Sequence, residues 1–285
     1  MASFYNQATL TYNGNSTTSN ITVGELVNVL SVTKTAIRPF YTVDDTVSFI
    51  VHIRNTGTSD LNDLIFTDDL GSYTYGEGQL TPLRYTEDSL RYFINGTLQA
   101  VPTITIGPPL SVTGLRVPAG GLAVIAYETS INRFAPLSAD DSITNTVTVT
   151  AGGLAIEASD SETIRPENTP RLSIAKSMNP TVIAENGQLT YTFTIQNTAG
   201  TPATVDDNVI VTDTFDPALS AITVTFNGTP WSESTNYTYN EETGEFATVA
   251  GQITVPAAAY TRDPDTGEWI IAPGTSVLTV TGTIS

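Results

Sequence analysis

The chain has no cysteine, one histidine, and only 11 lysines and arginines among 285 residues. Without cysteine there is neither a disulfide nor a thiolate metal site, so a β protein of this composition exposed to stress must find its staples elsewhere. The single histidine, His52, lies on the outward parity of its strand, and no enzymatic site is read around it. A net charge of −18 repels a phosphate backbone, which removes nucleic acid from the expected partners and leaves a soluble, self-repelling surface. No apolar run is long enough to cross a bilayer as a helix, and no membrane insertion is expected. The N-terminus also lacks a basic segment followed by an apolar one, so no secretory signal is read. The expectation is a mature chain, or one that reaches a surface by a spore or lysis route.

What is present favours strands. Thr, Ser, Asn, Val and Gly dominate, while Lys, Leu and Glu are scarce. The length predicts about two domains, and a hydrophobic fraction of 40% suffices for packed cores. Self-similarity then organises the chain. Leu30-Ser-Val-Thr-Lys-Thr matches Leu172-Ser-Ile-Ala-Lys-Ser, and Val47–Gly57 matches Leu189–Ala199. Leu64-Ile-Phe-Thr-Asp-Asp-Leu matches Val209-Ile-Val-Thr-Asp-Thr-Phe, and Val117-Pro-Ala-Gly-Gly matches Ile271-Ala-Pro-Gly-Thr. Short alternating runs lie between turn dipeptides such as Asn95-Gly96, Asn227-Gly228, Thr243-Gly244 and Thr266-Gly267. This pattern predicts an all-β chain of two tandem Ig-like antiparallel β-sandwiches. The first spans 26–164 and the second 172–285, with residues 165–171 as linker.

The first copy closes on Ile-Thr-Asn-Thr-Val-Thr-Val-Thr-Ala at 143–151, then Gly152-Gly153, then a return strand. The second copy has no such element. Residues 4–12, Phe-Tyr-Asn-Gln-Ala-Thr-Leu-Thr-Tyr, repeat the closing pattern and lead through Asn13-Gly14 into Ser16–Val23, a strong hairpin sequence. Residues 1–25 are therefore expected to be a donor strand or hairpin that completes the incomplete second domain of a neighbouring copy. Phe4, Asn6, Ala8, Leu10 and Tyr12 form its inward row. Such a chain is its own partner and grows head to tail as a pilus-like filament. Residues 24–29 span at most about 20 Å, so end-to-end domains would forbid self-closure and a folded-back arrangement would permit it.

These anchors resemble the conserved-repeat family of prokaryotic surface domains, known as domain of unknown function eleven. The shared pattern is Lys-Ser/Thr near the start, a strand ending in Asn-Thr-Gly, Val-Thr-Asp-Thr, a Pro-Gly strand start and a closing Thr-Asn-Thr strand. The likeness covers most of both halves. In the second copy Ala199 replaces the usual glycine, Gly200 follows it, and the closing strand is missing. The resemblance implies an extracellular β-sandwich on a bacterial cell or spore surface and no enzymatic activity.

Residues two apart on a strand share a face. Lys34 therefore sits with Leu30 and Val32, Asp68 with Leu64 and Phe66, and Asn145 with Ile143 and Val147. In the second copy Lys176 and Asp213 take the same places, and Asn6 of the closing pattern supplies the amide. A buried lysine is costly unless paired or neutralised. Two readings follow: a buried Lys–Asp pair with Asn as neighbour, or a Lys–Asn isopeptide bond promoted by the acid, Asp68 or Asp213. Asn55 and Asn197 also lie on inward parity and compete as partners, although Asn-Thr-Gly suggests a turn.

No cofactor or metal is expected. The calcium candidates are Asp44-Asp45, Asp206-Asp207 and Asp263/Asp265, which lack EF-hand spacing. Trp231, Trp269, Tyr237, Tyr239 and Tyr260 are the residues a carbohydrate-binding module would use, and a monomeric stalk or adhesin fragment is the other alternative to a fibre subunit.

Overall fold

The computed structural model describes residues 2–26, 28–151 and 157–284. Apart from one 3₁₀ turn at Val205–Asp207, its regular structure is all β. Two compact units emerge, Met1–Pro39 with Asp44–Asn132 and Ile143–Ile164, and Phe40–Val43 with Arg133–Ser142 and Arg165–Ser285. Segments 40–43 and 133–142, which the repeat boundaries assign to the first domain, thus group with the second. Residues 165–171 are not a free linker. Arg165-Pro166 pairs in parallel with Phe40-Tyr41, and Arg171 N–H donates to Asn197 Oδ1 at 3.0 Å.

In the first unit one sheet carries Leu30–Ala36, Thr46–Asn55, Leu122–Ile131 and Arg91–Ile94 in that order. The facing sheet runs Leu110–Val117, Leu61–Asp68, Ile143–Ala151 and Glu157–Pro166. Strict alternation drives the packing: Thr46–Asn55 buries every second residue, including Phe49, Val51 and Ile53. Leu64, Phe66, Val112, Ile125, Val147 and Val149 fill the space between the sheets and are fully buried.

The second unit repeats the first sheet as Leu172–Asn179, Gln188–Asn197, Gly274–Ile284 and Leu219–Phe226. Its facing sheet is smaller, Thr212–Thr214 with Glu245–Thr248 and Tyr237–Tyr239. Phe193, Ile195, Phe215, Phe246 and Leu278 anchor its core.

The turn dipeptides act through backbone geometry. Asn13, Asn95 and Asn227 have φ of 45°, 47° and 50°, and the glycines after them 79°, 82° and 79°. That double left-handed step is the tight turn matched to strand twist. The Asn13-Gly14 turn closes a hairpin in which Thr9–Tyr12 pairs with Asn15–Thr18 and Ala2–Asn6 pairs with Thr22–Leu26. Asn6 lies opposite Thr22, and Thr9 opposite Thr18. The extra residue between these pairs is on the return arm, so the first arm keeps its alternation. The corresponding turn at 152–156 of the first unit lies outside the described residues.

Candidate functional site

Lys34 lies on the edge strand Leu30–Ala36, and Asp68 ends the strand Leu61–Asp68 in the facing sheet. Their side chains meet with Nζ to Oδ2 at 2.6 Å, and both are 0% exposed. Leu70 N–H donates to the other carboxylate oxygen at 2.9 Å. The Phe49 ring lies 4.9 Å from Lys34 Nζ. Burial pushes the Lys34 amine below its ordinary range, an effect that the charge of Asp68 opposes. Val147 pairs with Asp68 across the ladder, which places Asn145 on the same inward face one step away. Asn145 is fully buried, and neither atom of its amide makes a hydrogen bond with the described residues. An unpaired buried amide costs about 1–3 kcal/mol. Its position beside a buried amine and a carboxylate makes it the most informative polar group in the unit.

Two further residues complete the site, and neither follows from the repeat. The Tyr127 hydroxyl donates to Asp68 Oδ2 from the neighbouring sheet, and Asn145 lies close enough to influence it. Burial first, and then the charge of Asp68, push the Tyr127 phenol well above its usual range. Asp160, on the return strand, accepts the Lys34 backbone N–H at 2.7 Å and so ties that strand to the sheet edge. Inward parity alone could have drawn attention to Tyr127, which alternates with Ala123 and Ile125 along Leu122–Ile131.

Asn55 and Asn197 are employed elsewhere. Asn55 donates to Ser59 O at 2.8 Å and Pro118 O at 3.1 Å, and accepts Gly57 N–H at 2.9 Å. Asn197 donates to Thr201 O at 2.7 Å and accepts Ala199 N–H at 3.0 Å. Both fasten the loop after their strand, as an Asn-Thr turn requires. Asn55→Ala is therefore expected to lower the stability of the first unit by about 2–3 kcal/mol. A thermal melt checks that loss.

The second unit has the same pair in a different setting. Lys176 Nζ bonds Asp213 Oδ2 and sits 4.3 Å from the Tyr191 ring centroid. These side chains are 39% and 19% exposed, against zero for the buried pair. The apolar row beside Lys176 is equally bare. Leu172 and Ile174 are 37% and 55% exposed where Leu30 and Val32 are 3% and 8%. The cause is topological. In the first unit Leu61–Asp68 is flanked by Leu110–Val117 on one edge and Ile143–Ala151 on the other. In the second, Thr212–Thr214 pairs only with Glu245–Thr248 among the described residues.

The hairpin is the converse case. Its strands pair only with each other among the described residues, and Asn6, Ala8, Leu10 and Tyr12 are all exposed. The side chain of Phe4 lies outside the described residues, and its backbone pairs with Gly24.

The other candidates have local roles. Asp207 caps its own turn by accepting Thr204 N–H at 2.7 Å, Asp263 accepts the N–H groups of Asp265 and Thr266, and Asp45 pairs with Arg38. Among the described residues no group of three or more His, Cys, Asp or Glu could hold a metal ion. Tyr237 packs on Phe246 in the core, Trp231 stacks on Phe226, and Tyr260 donates to Thr198 O. No helix of the described residues is long and apolar enough to cross a membrane.

No protein family and no curated protein matches this chain. Partial likeness exists to solved structures. The pilus backbone RrgB from Streptococcus pneumoniae aligns with 12% identity over 83% of this chain and 50% of its own, at a TM-score of 0.32. The RrgA Jo.In complex aligns with 8% identity over 47% of this chain and 78% of its own, at 0.34. ACE19, the collagen-binding subdomain of the Enterococcus faecalis surface protein ACE, aligns with 11% identity over 51% and 100%, at 0.30. Scores this low assign neither family nor function.

Proposed function

We propose that this chain is a structural subunit of an extracellular filament, built from two copies of the conserved-repeat surface domain. Each subunit lends its N-terminal hairpin to the second unit of the next. One observation carries the reading. The two repeats share their first sheet, but among the described residues the strand that seals the first has no counterpart on the edge at Asp213. A hairpin of matching sequence stands with its inward row exposed elsewhere in the same chain. An open edge over uncovered apolar side chains favours strand addition, and a hairpin with bare apolar residues favours burial. The occupant we propose is the hairpin of a second copy, whose pattern Asn6, Ala8, Leu10 repeats Asn145, Val147, Val149 in register. Charge is compatible, since residues 4–24 of the hairpin carry none while the whole chain carries −18.

Covalent closure follows the same geometry. Burial favours the neutral Lys34 amine, which attacks Asn145 Cγ; the Cγ–Nζ bond forms, the Cγ–Nδ2 bond breaks, and ammonia leaves. Asp68 holds the amine and carries its protons. Lys176, Asp213 and the incoming Asn6 would perform the same reaction between subunits, which would turn a strand-exchanged fibre into a covalent one.

The test is a boiled denaturing gel of assembled protein with mass spectrometry of each band. A ladder whose species lack about 17 Da per link is the expected result. A monomer band of unmodified mass would leave Lys34 and Asp68 as a plain buried pair. Absence of filaments before boiling would remove the donor-hairpin reading itself.

A further inference from the structure

We propose that Tyr127 is a proton-relay residue for closure of the Lys34–Asn145 link, a role that rests on the isopeptide reading above. The geometry is specific. The Tyr127 ring stacks on Phe49 with centroids 5.7 Å apart at 25°, and meets Phe66 edge-on at 6.0 Å and 82°. Two aromatic contacts on different strands fix the ring, and the hydroxyl ends on Asp68 Oδ2, the oxygen that also holds Lys34 Nζ. Asn145, with no hydrogen bond among the described residues, is one of the polar groups that influence that hydroxyl. Tyr127 thus bonds the acid and lies near enough to the amide to be influenced by it.

Proton accounting shows why such a group is useful. The neutral Lys34 amine must lose one proton to become an amide nitrogen. The leaving Nδ2 of Asn145 must gain one to depart as ammonia. Asp68 accepts a proton from Lys34 and returns to its starting state by passing it on. In a site closed to water, the Tyr127 hydroxyl can take that proton from Asp68 while giving its own to the departing nitrogen. The phenol begins and ends neutral, and no further reactant is needed.

The second unit provides an internal contrast. The position opposite Tyr191, equivalent to that of Tyr127 opposite Phe49, is Val280. Among the described residues no hydroxyl from that strand bonds Asp213, so the relay belongs to the first unit.

The experiment follows newly made full-length chain. Protein is pulse-labelled in a cell-free translation reaction, quenched in denaturant at intervals and digested. The peptide joined through Lys34 and Asn145 is then quantified by mass. Tyr127→Phe is expected to slow linkage by at least about tenfold. A second variant carries a fluorinated tyrosine at position 127, which changes phenol acidity with little change of shape. It is expected to shift the pH profile of the linkage rate, which a packing role would not do. Linkage of Tyr127→Phe at the wild-type rate, or an unchanged pH profile for the fluorinated chain, overturns the relay. If Tyr127→Phe does not fold, the fluorinated chain decides alone. An unlinked wild-type chain at all times overturns the isopeptide reading and the relay with it, a result distinct from failure of the relay alone.

Discussion

Deletion of residues 2–26 is expected to leave the chain monomeric under conditions in which the full-length chain forms filaments. The deleted hairpin pairs only with itself among the described residues, so its loss removes no ladder from the first unit. What disappears is the donor. Leu172 and Ile174 then stay in water, as does the edge at Asp213. Full burial of an aliphatic side chain contributes about 1.5–3 kcal/mol, so covering this row and the facing Leu10 would supply several kcal/mol to each junction. Asn6→Ala separates the two layers of the mechanism. It keeps Ala8, Leu10 and Tyr12 and the whole backbone ladder, so filaments are expected to form. It lacks the electrophile, so boiling detergent should return single chains. Electron microscopy and a boiled gel read the two variants. Filaments from the deletion would end the donor-hairpin proposal, and a boiling-resistant ladder from Asn6→Ala would place the cross-link elsewhere.

Much of this architecture is legible in the sequence because strand parity is a local property. Alternation puts Lys34, Asp68 and Asn145 on apolar-facing positions, and all three are buried. The Asn-Gly dipeptides mark turns because a two-residue connection demands positive φ at both positions. Contacts between sheets are not local. Nothing in the run Leu122–Ile131 reveals that Tyr127 ends on Asp68, nor does Glu157–Pro166 reveal that Asp160 reaches the Lys34 backbone. The grouping of 40–43 and 133–142 with the second unit escapes the repeat for the same reason: it rests on pairing such as Phe40-Tyr41 with Arg165-Pro166, between residues far apart in the chain. Exposure is equally hidden. The rows Leu30–Lys34 and Leu172–Lys176 look alike as sequence, and only the open edge distinguishes a sealed lysine from an uncovered one.

The second large effect concerns the buried pair itself and is expected as an ordered series of melting temperatures. A link between Lys34 and Asn145 closes a loop of roughly 110 residues, for which the chain-entropy argument assigns about 4–5 kcal/mol. Asn145→Ala forfeits this and keeps the Lys34–Asp68 pair. Lys34→Ala forfeits the link and also strands Asp68, buried without its cation, a further loss of about 3–5 kcal/mol. The order is therefore wild type, then Asn145→Ala, then Lys34→Ala, with Lys34→Met/Asp68→Leu recovering much of the last step. The pH dependence has a definite sign. In Asn145→Ala the amine is free, and its folded pKa lies below its unfolded value of 10.5. Between those two values the unfolded chain binds more protons than the folded one, so stability must rise as pH rises through that window. In the linked wild type the nitrogen is an amide and does not titrate, so this rise should be absent. Denaturant melts of both proteins across alkaline pH measure the difference. Parallel curves would mean that Lys34 is equally free in both, and that the wild-type chain carries no bond at Asn145.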